Sequence, residues 1–422
     1  MSAAAPGTAA PQGMSLYSRY VLGLLMVTSI LHTLDRTMIS ILIEPIKADL
    51  HLTDGEVGLL TGILFAIFYT GASIPIAQLA DRWDRPKVLG AGVFVWTAMT
   101  ALCGLASSVA TMVLCRIGVA VGEAGYNPVA QSLVSDEVPP EKRSGALSLL
   151  AAGGALGVVL GFIIGGQLAQ HFGWRWAFAI TGIAGIPVAL LLVLTLREPR
   201  RAADFKRAPA LPLKATLVAL SRDRSYVLLV LAATFAVMCS YSIGMWKPAV
   251  LMRSYGMQVG QAGMVLGLTA GLASVFGFLL GGFVGNKLGR ERALLFPAFA
   301  SLLAAPLFAV AFSAPTGHSA AVWLILPTML GSTWYGAIFA SIQARVDTNM
   351  RAVAAATAFF FIGVFGNGLG PSLVGWISDM TAVWFGKESL RYAVIFIGSF
   401  EVVTAALIFA AYRSMRGSTV PP

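Results

Sequence analysis

From Tyr20 to Arg413 the chain is a succession of apolar runs, each near the ~20 residues that an α-helix needs to cross ~30 Å of hydrocarbon. Short polar breaks separate them. Twelve runs are predicted as membrane helices: 17–43, 56–80, 87–107, 110–135, 144–170 and 174–196, then 225–252, 260–285, 292–313, 320–346, 351–380 and 390–413. One break is long. Arg197 to Arg224 is polar and basic and contains Pro199, Pro209 and Pro212, so it reads as a linker between two six-helix halves. The predicted architecture is an all-α membrane protein of two bundles, 20–196 and 225–413. The linker 197–224 lies between them, with tails at 1–19, expected to be disordered, and 414–422.

Composition agrees with the pattern. Of 422 residues, 57% are hydrophobic and only 11% charged, far from the quarter expected of a soluble domain. The net charge of +10 does not point to nucleic acid, because the basic residues are dispersed between apolar runs and not gathered into a patch. They report topology. With Met1 in the cytoplasm, most Lys and Arg fall in cytoplasmic segments; Lys47, Arg175, Arg253, Lys387 and Arg391 fall outside. The positive-inside rule then places both termini in the cytoplasm; the membrane is expected to be a bacterial inner membrane. Cys103, Cys115 and Cys239 all lie within runs and are expected to be packing residues.

The halves echo each other. Ala77-Gln-Leu-Ala-Asp81-Arg82-Trp-Asp84-Arg85-Pro-Lys87 follows the second run and Gly282-Phe-Val-Gly-Asn286-Lys287-Leu-Gly289-Arg290-Glu-Arg292 follows the eighth. A second echo pairs Gln131, Val134 and Arg143 with Gln343, Val346 and Arg351, and glycine ladders recur in the fifth and eleventh runs. Parallel repeats of this kind place a site at the interface of the halves near the bilayer midplane.

Asp81-Arg82-x-x-Arg85, Arg116 and Gly157-x-x-x-Gly161-x-x-x-Gly165-Gly166 resemble signature motifs of the major facilitator superfamily. Asp35-Arg36, Asp81 to Arg85 and Gly122-Glu123-Ala124-Gly125-Tyr126 resemble its Spinster-like branch, whose animal members are linked to export of lysolipids and sphingosine phosphate. Asp84 and Pro86 depart from the superfamily loop pattern, and the ladder of the fifth run lacks its usual proline, which stands in the eleventh as Pro371. The resemblance implies a secondary transporter working by alternating access, with no cofactor, and a monomer.

Charges within membrane helices cost ~3 kcal/mol each on the lenient insertion scale and normally face a cavity and pair. At 1.5 Å per residue, Asp35 and Arg116 lie about 10–12 Å below the outer ends of the first and fourth helices, and Glu123 about 21 Å down. Helical spacing puts His32, Asp35 and Arg36 on one stripe and Arg116, Glu123 and Asn127 on another. The expectation is that the stripes face each other, that the carboxylates exchange partners with arginine, solute and proton, and that His32 relays protons. A fixed ion-pair network that only joins the helices is the rival reading. Candidate cavity residues are Tyr126, Asn127, Tyr241, Lys247, Trp334, Tyr335, Phe361, Phe365 and Asn367, with Trp246 also considered. Lys247 could instead snorkel to the interface, and Glu401 reads as structural. One charged and one aromatic wall suit an amphipathic solute among membrane lipids. The alternatives are a proton-coupled carrier of organic anions or sugar acids and a transport-dead sensor. Asp81, Arg82 and Arg85 are expected to form a conformational gate. No nucleotide-binding loop, zinc motif or nucleophile constellation is present, so ATP-driven pumping and enzymatic chemistry are not indicated.

Overall fold

The computed structural model describes residues 14–139, 142–198, 213–346 and 350–417, and all elements among them are helical. Local sequence sets where each helix starts. Ser15 caps α1 (Leu16–Ile41) by accepting from Ser18 N at 3.0 Å. Thr53 and Glu56 form a capping box at α2 (Asp54–Arg82), and Asp84 caps α3 (Arg85–Cys103), which carries Pro86 in its first turn. Ser108 opens α4 (Val109–Glu137) with Thr111 as its reciprocal partner. Each cap satisfies amide groups that the first helical turn leaves free. Gly173, at φ +82°, separates α5 (Arg143–Phe172) from α6 (Trp174–Thr195).

In the second half, Asp223 caps α7 (Arg224–Tyr255), followed by α8 (Val259–Gly289), α9 (Leu295–Phe312) and α10 (Gly317–Arg345). α11 is built of Arg351–Phe361, a π-helical stretch Ile362–Leu369 and Gly370–Phe385. α12 is built of Ser389–Gly398 and Glu401–Gly417. Among the described residues, eleven stretches are long and apolar enough to cross a membrane, the last running 64 residues from Val353 to Arg416. That stretch turns at the short 3₁₀ segment Gly386–Glu388, where Gly386 has φ +54°, so it makes two crossings. Two short helices flank the crossings: Ile43–Leu50 after α1, and Leu213–Arg222 within the stretch read as linker. The predicted tails lie mostly outside the described residues, but α1 already begins at Leu16 and α12 continues to Gly417.

The repeat is visible in side chains. Arg143 Nε donates to Val138 O at 3.1 Å and Arg351 Nε to Val346 O at 3.3 Å, the same device before α5 and α11. The partner of Val346 in the repeat is therefore Val138, not Val134, because the arginine reaches back to the carbonyl five residues earlier.

Three apolar cores organise the molecule. One belongs to the first half near the linker end, with Val21, Leu25, Trp96 and Leu133, and one to the second half at that end, with Tyr226, Leu229, Ile338 and Ile408. The third is shared, joining Met38, Ile43 and Phe178 of one half to Trp246, Leu251 and Phe312 of the other at the far end. Glycines bring the halves together there. A Cβ on Gly166 would stand 2.9 Å from Val259 O, and one on Gly58 2.9 Å from Pro371 O, so only glycine permits the α5–α8 and α2–α11 seams. Gly157 and Gly161 instead seat α5 on α1, within one half.

Polar contacts between the halves cluster at the same end. Arg253 of α7 binds Glu44 at 2.6 Å and Asp54 at 2.7 Å, Ser378 donates to Asp54 at 2.6 Å, and Asp379 accepts from the amides of Asp54 and Gly55 at 3.0 and 2.7 Å. A carboxylate of α11 thus caps α2 of the opposite half. At the linker end Asp81 and Arg82 are exposed, and Trp83 is 69% exposed.

Candidate functional site: a charged wall and a central cavity

α4 is not continuous. Its helix stops at Glu123 and restarts at Tyr126 across Ala124-Gly125, and Gly122 packs so closely on α3 that a Cβ would stand 2.6 Å from Trp96 N. This puts Glu123 at the end of a helical segment, fully buried, facing α1. Arg36 Nε donates to Glu123 Oε2 at 2.7 Å, and His32 Nε2 stands 3.5 Å from the same oxygen. One step further toward the far end, Asp35 Oδ1 accepts from Thr100 Oγ1 at 2.7 Å while its Oδ2 lies 3.5 Å from Arg116 Nη1. Sequence neighbours of opposite charge on α1 are each matched by an opposite charge on α4.

Aromatic rings frame the pairs. The Arg36 guanidinium lies 4.4 Å from the centroid of Tyr69 and 5.1 Å from that of Phe65, with Arg116 5.0 Å from Phe65 on α2. His32 stacks on Tyr126 at 4.8 Å and meets Trp96 edge-on at 5.9 Å. Asp35 Oδ2, Glu123 Oε1 and Arg36 Nη2 have no hydrogen-bond partner within the protein. The network is charge-balanced but not saturated, and an unsaturated buried network can accept a proton or a solute group.

A cavity of about 370 Å³ lies between the halves. Its first-half wall presents His32, Thr33, Arg36, Thr37 and Ser40 of α1 and Phe162 of α5. The second-half wall presents Tyr241 and Lys247 of α7, Ser274 of α8, Thr328 and Ser332 of α10, and Glu401 of α12. Lys247 is buried, its Nζ 5.4 Å from the Phe162 centroid across the halves, so it faces the cavity and does not snorkel. Glu401 is not peripheral: the interruption of α12 at Ser399-Phe400 turns it inward, where it is fully buried.

The remaining candidates are distributed differently from the sequence reading. Tyr126 is packed behind His32, its hydroxyl donating to Leu25 O at 3.2 Å, because the break in α4 rotates it away from the cavity. Trp334 is buried against Tyr335, and Trp246 is buried with Nε1 donating to Pro371 O at 3.0 Å. Asn127 is exposed, with Nδ2 3.4 Å from Tyr69 Oη. Tyr335, Phe361 and Phe365 are also exposed, and Asn367 is half-buried on the π-helical stretch. None of these lines the cavity. Arg85 is buried within its own half, where it binds Glu198 at 2.5 Å, Asp136 at 2.6 Å and Ser132 at 2.8 Å, tying α3 to α4 and the end of α6. It does not bridge the halves in this conformation. The lining hydroxyls of Thr33, Thr37, Ser40, Ser274, Thr328 and Ser332 had no distinguishing signal, since helical Ser and Thr occur on every face.

Residues 25–375 match the model of the Major Facilitator Superfamily. The chain belongs to that superfamily. An MFS-type efflux pump of Mycolicibacterium smegmatis is 32% identical over 93% of the chain and 92% of its own length. The sphingosine-1-phosphate transporter SPNS2 of Danio rerio is 26% identical over 94% of the chain and 86% of its own length. A bacterial homologue of the lysosomal transporter Spinster, solved in an inward-facing, unoccupied conformation, is 29% identical and superposes with a TM-score of 0.85, covering 97% of this chain and all of that one. This Spinster-like superfamily member is a transporter and not an enzyme, related to sphingolipid transporters and efflux pumps.

Proposed function

We propose that the chain moves an amphipathic, lysolipid-like solute by proton-coupled alternating access. The observation that carries this reading is the paired acid–base wall of α1 and α4 opening on a cavity between two halves that meet at one end. Asp35 and Glu123 are the proton-carrying groups, with Arg36 and Arg116 as their alternating partners and His32 as relay. A carboxylate out of water holds its proton better than in water and surrenders it more readily beside a guanidinium, so a rocking of α1 against α4 changes its occupancy. The cavity offers Arg36 and Lys247 to an anionic head and Phe162 and Tyr241 to an apolar body. The 26% identical relative named as a sphingosine-1-phosphate transporter supports a lipid-like solute, and the 32% identical relative named as an efflux pump supports outward movement.

The positive-inside distribution supports placing the linker end in the cytoplasm; we read the membrane as a bacterial inner membrane and the linker 197–224, of which 199–212 lie outside the described residues, as the connection about which the bundles move. The exposure of Asp81 and Arg82 supports reading them as part of a cytoplasmic gate that closes when α2 meets the second half. The exposed Tyr335, Phe361 and Phe365 would line the route from the bilayer to the cavity. Arg36 and Lys247 also favour a compact organic acid, and one assay separates the two. In proteoliposomes with an imposed pH gradient, accumulation of a fluorescent lysolipid that collapses with the gradient is expected. Gradient-driven uptake of a sugar acid with no lysolipid movement would overturn the lipid reading.

A further inference from the structure

The first-half wall pairs its charges internally, whereas Lys247 and Glu401 on the second-half wall form no ion pair with each other. Glu401 begins the second segment of α12, is 0% exposed, and has no hydrogen-bond partner for either carboxylate oxygen. Gly331 of α10 faces it, where a Cβ would stand 3.3 Å from Oε1, so a side chain there would intrude on the carboxylate. The Ser301 hydroxyl of α9 lies beside it, placed to turn toward the carboxylate, and the Thr328 hydroxyl of α10 has no partner. Other titratable groups facing this region are Cys239 of α7, whose thiol donates to Ile397 O at 3.3 Å, Tyr241 and Lys247 of the same helix and, across the cavity, Arg36 and His32. None of these cations forms an ion pair with Glu401; Arg36 is held by Glu123.

A carboxylate fully out of water without a counter-ion, and with a lone serine hydroxyl beside it, is costly unless it carries a proton or meets a cation. The one open direction is the cavity, which Glu401 shares with Arg36 and Lys247. A solute reaching both walls would therefore bear an anionic group and an ammonium group. We propose that Glu401 is an ammonium subsite, protonated when the cavity is empty and exchanging that proton for the protonated amine of a bound amphipath. The inference rests on the reading of the cavity as the solute site. The exchange balances: the carboxylic acid releases one proton to the open end of the cavity, the ammonium takes its place as counter-ion, and the acid is restored when the amine leaves. The second half would thus carry its own proton-for-amine coupling, separate from the α1–α4 network.

The test is calorimetric titration of the purified full chain with octylamine and with octyl phosphate, at pH 7 in two buffers of different ionisation enthalpy. The native chain is expected to release about one proton per octylamine bound. Glu401→Gln should weaken octylamine at least tenfold and abolish proton release, with octyl phosphate binding held within twofold as the control for folding. Glu401→Asp should recover part of the amine affinity. Equal octylamine affinity in native and Glu401→Gln protein, or binding without proton release, would overturn the subsite alone. Failure of both ligands to bind the native chain would overturn the cavity as the solute site together with it.

Discussion

Glu123 and Asp35 illustrate how much a rare residue type reveals. Ionisable groups are so disfavoured in hydrocarbon that their presence in an apolar run, at spacings that share a helix face, is enough to pair α1 with α4 from sequence. Glu401 was equally visible as a charge, yet its orientation depends on the break at Ser399-Phe400, which no periodicity reports. Tyr126 failed for the same reason, rotated by the interruption after Glu123. Removing the negative charge from Glu123 leaves Arg36 buried beside a neutral amide. Glu123→Gln is therefore expected to lose pH-gradient-driven accumulation while retaining solute exchange without a gradient, read by counterflow in proteoliposomes. Lys247→Met should reduce affinity for octyl phosphate about tenfold, the scale of one charge-assisted hydrogen bond at ~1.5–3 kcal/mol, as read by calorimetry.

Helices were the most legible level. Run length set the twelve crossings, and the Asp84, Ser108 and Thr53 caps mark their starts chemically. The glycine ladders were visible too, but which neighbour each serves was not: Gly157 and Gly161 seat α5 on α1, whereas Gly166 and Gly58 form the seams between halves. Spacing alone cannot separate a fixed contact from a moving one. The seams make a distinct prediction. Gly58→Val places bulk against the α11 backbone, where even a Cβ would stand 3.0 Å from Ser372 Cα, so it should pry α2 from α11. Cysteine labels at the far end are expected to become several-fold more reactive, whereas Gly23→Val, at a position open to its surroundings, should leave reactivity unchanged.

At the scale of the whole molecule, the far end is held by a shared apolar core and by Arg253, Asp54, Ser378 and Asp379, while the linker end is built from two separate cores. The sequence implied two rocking halves but not which end is closed, because the apolar runs are alike at both ends. Asp54→Asn removes charge from the contacts with Arg253 and Lys47, and at ~1.5–3 kcal/mol per charge-assisted bond the equilibrium should shift about tenfold or more toward opening at that end. Spin-label distances between the short helix Ile43–Leu50 and the α11–α12 turn should lengthen accordingly. Arg85→Met acts differently, disrupting a buried contact among α3, α4 and α6 of one half, and is expected to lower thermal stability without changing those distances.

The central claim is that the charged wall of α1 and α4 couples protons to solute movement through the cavity. Proton flux and solute flux measured together in the same proteoliposomes, for the native chain and for Asp35→Asn with Glu123→Gln, test it most directly. With a lysolipid that carries no amine, and so does not engage Glu401, the account predicts linked fluxes in the native protein and solute movement without proton movement in the double variant; linked fluxes of native size in the double variant would contradict it.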